Sequence, residues 1–284
     1  MRQLTEISRE RDVMGTMREL TGAFEGIASM RIAQIKDLVQ QSENYFGDLW
    51  LIYNQLRVDE LFHFGRSHMF ESVMNKDLLI LITSEGSFSG DIDQRLVDDA
   101  LEYYDPDKND IIVIGHHGSV QLLQKGIRYT HSFKMPEKER NFNVAPIVAE
   151  VQKYASTTVY YQTYISLMTQ EVKSIPLGKA VTERGKSVKT GSDEIISEQT
   201  YIFEPSTYAV VDHLERSMMQ ITLSEVILES KLAQYASRFR AMSAAQDKAR
   251  ESLEELDLSY NRAKRLLKDE RLKEVINGLR KATL

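Results

Sequence analysis

The sequence predicts a small Rossmann-like α/β domain inserted between two long helices, which fold back on each other as an antiparallel α-helical coiled coil. Three observations carry this prediction. Heptad seams of apolar residues run along both ends of the 284-residue chain. Between them, apolar runs alternate with amphipathic segments. The stretch "ESKLAQYASRFRAMSAAQDKARE", Glu229 to Glu251, holds neither proline nor glycine and shows a repeating apolar face.

Stepping by three and four from Ile7 gives Glu10, Met14, Met17, Thr21, Phe24, Ala28, Arg31, Ile35, Leu38, Ser42, Tyr45, Leu49, Ile52 and Leu56. This seam predicts an N-terminal helix over residues 1–57, with these positions facing a partner. The middle of the chain, residues 58–206, reads as the α/β domain. "DLLILITS" is a continuous apolar run of strand length, followed by the loop "EGSFSGD" and the helical "IDQRLVDDALEYY". "DIIVIG" followed by "SVQLLQKG" repeats the strand-to-helix unit. "APIVAEVQKYA" reads as a further helix, and "STTVYYQTYISLMTQEVKSIPLG" as one β-branched and aromatic run. The segment "TERGKSVKTGSDEIISEQT" reads as an exposed loop.

From Leu214 a second seam continues through Met218, Ile221, Glu225, Leu228, Leu232, Tyr235, Phe239, Met242, Gln246, Ala249, Leu253, Leu256, Tyr260, Ala263 and Leu267, interrupted only by Glu225 and Gln246. It predicts a C-terminal helix over 207–284 whose seam alone spans on the order of 80 Å. Both seams border the α/β domain, so the two helices bury each other only by running antiparallel. The C-terminal helix is the longer, and its last fifteen to twenty residues are left without a partner helix.

Composition narrows the functional classes. The absence of cysteine excludes disulfides, thiolate metal sites and a cysteine nucleophile. No run reaches the roughly 20 apolar residues of a membrane helix, and "MRQLTEISRERD" lacks a signal peptide's apolar core, so any membrane role runs through partners. A net charge of −6 argues against nucleic acid as a ligand. The average conceals an asymmetry. From Arg262 to Lys281 eight basic residues stand against three acidic ones, a local +5, which leaves the remainder near −11.

The candidate chemical sites are weak by sequence. The loop Ser84–Gly90 follows a strand and opens a helix, as phosphate loops do, but lacks both the Gly-Lys-Ser/Thr ending and the GxGxxG spacing, and reads as a plain turn. His116 and His117 in "GHHG" have no evident third ligand. Ser119 lacks a nucleophile elbow. The apolar seams read as core packing. The basic cluster Arg262, Lys264, Arg265, Lys268, Arg271 and Lys273 reads either as a solvated helix face or as a surface for an acidic receptor. No cofactor or metal is expected, and interaction rather than catalysis is the reading from the residues.

Taken with this architecture, "YIFEPS" (Tyr201 to Ser206), "ESKLAQYASRFRAMSAAQDKA" and, in part, "LLILITSEGSFSGDI" resemble segments of the γ subunit of F-type ATP synthases, the central rotor shaft. The resemblance implies a non-catalytic subunit of an ATP-synthesising, ion-transporting complex. Its partners would be the alpha and beta subunits of the hexameric head, the epsilon subunit and the membrane rotor c-ring. It would be peripheral, at the cytoplasmic face of a bacterial cell membrane. The resemblance further implies that Arg238 lies where the head pushes on the shaft, with Phe24, Met242, Arg262, Lys264, Arg265, Lys268 and Glu270 as further head contacts. Tyr201 and Glu204 would rest on the ring. Gly22 and Phe24 depart from the family's basic, Met-containing helix, and Glu270 stands where the family carries a glutamine. A specialised shaft, sodium-driven or repurposed, and a coiled-coil scaffold or adaptor stay open as alternatives.

Overall fold

The computed structural model describes residues 4–55, 74–86, 88–136, 143–187, 202 and 204–282. Its two longest elements are α1 (Leu4–Gln55) and α6 (Thr207–Ala282). The chain forms two compact units, one made of residues 1–28 with 239–284, the other of residues 29–238.

In the larger unit, β1 (Met74–Ile82), β2 (Asn109–Ile114), β3 (His131–Phe133), β4 (Tyr154–Tyr164) and β5 (Gln170–Pro176) form one sheet in the order β3-β2-β1-β4-β5. All pairings are parallel except β4 with β5. The helices α2 (Ile92–Glu102), α3 (His116–Gln124), α4 (Ala145–Val151) and α5 (Leu177–Ser187) complete the unit. Alternate side chains of a strand face opposite sides of the sheet, and both sides are apolar here. Leu78, Ile80, Ile82, Ile112, Ile114, Val159 and Tyr161 join Met218, Leu223 and Ile227 of α6 and Phe46 and Trp50 of α1 in one core. Leu79, Leu81, Ile111, Val113 and Tyr160 meet Leu96, Val97 and Ala100 of α2 and Leu122 of α3 in the other. A doubly covered parallel sheet needs such unbroken apolar strands.

The helix α5 seats Trp50. Gly185 leaves room for the indole, since a Cβ there would fall 1.9 Å from Trp50 Cε2. Phe46 stacks on Trp50 at 6.1 Å between ring centres. Arg184 lies 4.2 Å over the Phe46 ring and pairs with Glu225 of α6.

In the smaller unit, α1 and α6 run antiparallel. Arg11 Nη1 is 3.7 Å from Asp257 Oδ1, and its guanidinium lies 4.8 Å from the Tyr260 ring centre. Gly22 faces Gln246, whose Nε2 lies 2.6 Å from where a Cβ would stand. The two pairs are eleven residues apart on each helix, so they report one register.

Four sequence expectations need correction. One column of the α1 seam is placed differently: Met17 is 52% and Phe24 42% exposed, and Tyr45 and Ile52 are also exposed, whereas Ile7, Ala28, Ile32, Ile35 and Phe46 are buried. The buried face follows Ile7 and Ala28 with the half-buried Arg11, Met14, Thr21 and Glu25 between them. Stepping by three or by four from the same residue selects neighbouring helix faces. Apolarity alone favours the wrong one, because the aliphatic stems of Arg11 and Glu25 can cover a seam while their charges stay wet. Second, Thr182–Ser187 is the end of a helix, not a loop. Third, the single aromatic run is two strands that reverse over residues 165–169. Fourth, the three-residue β3 is an added edge strand too short to leave a periodic signal. The α6 seam holds as expected, with every position from Leu214 to Ala263 buried or half-buried.

Candidate functional site

Strand order reverses between β1 and β4, and in open α/β sheets the crevice beyond the strand ends at that point is where ligands bind. Here the chain fills it with its own polar groups. The loop after β1 carries Phe88 and Gly90, both with φ of 70°, and returns into α2 so that the buried carboxylate of Asp93 points back at the loop. Asp93 accepts hydrogen bonds from Ser84 N at 3.1 Å, from Ser84 Oγ, and from Gln162 Nε2 of β4 at 2.8 Å. Gln162 Oε1 in turn accepts from Ser230 Oγ of α6 and, at 3.4 Å, from Gln234 Nε2. Ser237 Oγ donates to the Ser89 carbonyl at 2.7 Å. A continuous chain of buried hydrogen bonds thus ties the sheet to the long helix.

His117 Nδ1 lies 2.9 Å from Ser84 Oγ and 3.0 Å from Asp93 Oδ2. Serine and aspartate approach the same ring nitrogen. A Ser-His-Asp relay needs them on opposite nitrogens, so this trio is not a hydrolase triad. His116 donates its backbone N–H to Glu85 Oε2 at 3.1 Å. Among the described residues no group of three His, Cys, Asp or Glu side chains converges as a metal site.

Arg238 lines an open cleft in the larger unit with Glu85, Gly86, Met135, Lys231, Gln234 and Tyr235. Its guanidinium lies 5.4 Å from the Tyr235 ring centre, and Lys231, almost fully buried, donates to the Pro136 carbonyl at 2.7 Å. Arg238 is therefore held against the loop that follows β1.

The other residues expected to contact the head fall in the smaller unit. Phe24 points outward, and Met242 is buried and contributes packing. From the register set by Arg11 and Gly22, Leu4 lies level with Lys264, and residues 264–280 are all exposed. Lys264, Arg265, Lys268 and Glu270 thus occupy the start of a helix end that extends past the described part of α1, and Arg262, level with Glu6, lies just before it. That end also carries an apolar stripe missed in the sequence: Leu272, Val275, Ile276 and Leu279, each 46–64% exposed. Their spacing of three and four residues is legible once the seam is no longer followed past Leu267. Glu204 is exposed just before α6, while Tyr201 lies outside the described residues. No described helix is long and apolar enough to cross a membrane.

A family model described as ATP synthase matches residues 3–280. The ATP synthase gamma chain of Chloroherpeton thalassium is 24% identical over 298 residues, covering 98% of this chain and 97% of its own. That of Chlorobaculum parvum is 26% identical over 278 residues, with 92% of each covered. A chain of the Euglena gracilis mitochondrial ATP synthase in rotational state 3 superposes with a TM-score of 0.61 at 14% identity, over 97% of this chain and 94% of its own. A chain of the central stalk and c-ring structure from the Tetrahymena thermophila enzyme gives 0.56 at 17% identity, over 80% and 99%. At these identities the structural likeness concerns the fold.

Proposed function

Because this chain belongs to the ATP synthase gamma family, we propose that it is the central-stalk subunit of a rotary ATP synthase, carrying torque between an ion-driven membrane ring and a nucleotide-binding head. The observation that carries the reading is the bare end of α6, an exposed helix of basic and apolar residues beyond the end of α1. Such a segment needs an enclosing sleeve, and a hexameric head of alpha and beta subunits supplies one. Arg238, Phe24 and the cluster Arg262, Lys264, Arg265, Lys268 and Glu270 are its contacts to that head. Glu204 and Tyr201 are its contacts to the c-ring, and the epsilon subunit is a further partner. The chain is peripheral, on the cytoplasmic face of a bacterial membrane.

The subunit has no catalytic residues of its own, and it acts by differential contact. An asymmetric rod presents a different face to each head subunit as it turns, and the conformation that fits each face is stabilised. Shifting a two-state subunit from one-tenth to nine-tenths populated requires about 2.6 kcal/mol of differential binding, within reach of a few partly desolvated ion pairs. The filled crevice at Asp93 serves this role by fastening the sheet to the helix that turns. The test is co-purification: an affinity-tagged chain, expressed in its own cells, should bring down a nucleotide-hydrolysing head and a membrane ring. Recovery of the tagged chain alone, or ATP turnover by the isolated chain, contradicts the proposal.

A further inference from the structure

Within the larger unit, the seat of α1 on α6 changes character toward the end of α1. Phe46 and Trp50 join Met218 and Met219 in the main core, while Leu49 and Tyr53 also close over Val210, Val211 and Leu214. Beside that second, apolar contact α6 carries two carboxylates one turn apart. Asp212 is 9% and Glu215 7% exposed, so both are taken out of water. Their partners differ. Asp212 pairs with Arg216 one turn on. Glu215 has no cationic partner among the described residues, and accepts a hydrogen bond from the Tyr53 hydroxyl of α1 at 3.3 Å.

A desolvated carboxyl with no cation and a like charge nearby disfavours its ionised form. Burial first, opposed by the Tyr53 hydrogen bond and reinforced by Asp212, pushes Glu215 up to about 7. Tyr53, pushed up to about 12 chiefly by its own burial, stays protonated and donates throughout the neutral range. Among the described residues these two, Tyr53 from α1 and Asp212 from α6, are the titratable groups that act on Glu215, while His213 is exposed. The coupling has a direction. While the end of α1 is seated, Glu215 keeps its proton until about pH 7. When that end lifts, water reaches the carboxyl and it ionises in the ordinary carboxylate range. Between those two values each pH unit favours the lifted state by at most about tenfold, and above the higher one, where both states are ionised, the ratio stops changing.

We propose that Glu215 is a proton-operated latch on the end of α1: protonated, it lets Leu49 and Tyr53 seat on α6, and ionised, it loosens that seat through a local opening. The last described turns of α1 are therefore held firmly in acid and loosely at neutral pH and above. The latch goes beyond the proposed rotor role and does not depend on it.

The purified full-length chain is the material for the test. Hydrogen exchange, read as protection relative to each amide's intrinsic rate, reports the opening itself at each pH. In wild type, protection over residues 46–55 should fall at least about tenfold between pH 5 and pH 7 and level off by pH 8. At every pH it should stay below that of β2, because the end of α1 exchanges through an opening smaller than global unfolding. Glu215→Gln, which has no carboxyl proton to lose, should keep at pH 8 the protection that wild type shows at pH 5. Tyr53→Phe removes the bond that favours the ionised form and should raise the pH at which protection levels off, and Asp212→Asn removes the like charge and should lower it. Wild-type protection over residues 46–55 that does not vary with pH overturns the proposal. So does a Glu215→Gln chain that follows the wild-type curve, and so do shifts in the opposite sense in the other two variants. Protection over residues 46–55 equal to that of β2 also overturns it, since the change would then report global unfolding and not a latch.

Discussion

Replacing Asp93 with alanine should loosen the sheet from the long helix, and the hydrogen bonds around the carboxylate set the size of the effect. Two buried donors, Ser84 N and Gln162 Nε2, lose their acceptor. At about 1–3 kcal/mol for each stranded group, the larger unit loses about 2–6 kcal/mol. Asp93→Asn keeps one acceptor oxygen and should lose about half as much. His117→Ala should lose least, because the ring is partly exposed and water can replace it. A chain of two compact units need not unfold in one transition, so local opening is the quantity to measure. Hydrogen exchange in peptides from β1, β4 and the Ser230–Ser237 part of α6 reads it directly. The loss should reach α6, since Gln162 Oε1 receives Ser230 and Gln234. Protection in Asp93→Ala within about 0.5 kcal/mol of wild type, or a loss confined to α2, would refute the anchoring role.

The remaining predictions concern the base, register and end of the helix pair. Burial, opposed by a hydrogen bond from Tyr53 and reinforced by Asp212, pushes Glu215 up to about 7. A raised folded value means that the native state holds the extra proton, so this contribution is full below the ordinary carboxylate range and is lost as pH rises toward 7. Glu215→Gln should therefore stabilise the protein by about 1–3 kcal/mol at pH 8 and by little at pH 5, with thermal melts at both values as the check. Gly22→Cys with Gln246→Cys should close an intramolecular disulfide in this cysteine-free chain, whereas Met17→Cys with Leu228→Cys should not, as seen on non-reducing gels. Changing Lys264, Arg265 and Lys268 to Glu takes the local charge from +5 to −1. In the assembled complex this should lower coupled ATP turnover several-fold and make assembly more salt-sensitive, whereas wild-type behaviour at low salt would mean that these charges are only solvated.

The parts of the fold that sequence revealed are those where one physical demand dominates. The strands around Leu78–Ile82 and Ile111–Ile114 are buried on both faces, so they read as unbroken apolar runs. The α6 seam is buried on a constant face from Leu214 to Ala263, so its period survived. The α1 helix was legible as a helix but not in its facing. Its apolar column Met17 and Phe24 points outward, and its inward column includes Arg11 and Glu25, where covering a seam and solvating a charge are compatible. The Asp93 network was illegible for a different reason. Its members come from a loop, a helix start, β4 and α6, and nothing local distinguishes Gln162 or Ser230 from surface residues. The stripe from Leu272 to Leu279 was present in the spacing but lay one face away from the seam being followed.

Rotation tests the central claim most directly. With the head fixed to a surface and a bead attached through Leu123→Cys, an exposed position on α3, ATP should drive the bead continuously in one direction, and removing ATP should stop it. A bead that stays fixed, or that only fluctuates while the same complexes hydrolyse ATP, would show that this chain is not the turning shaft.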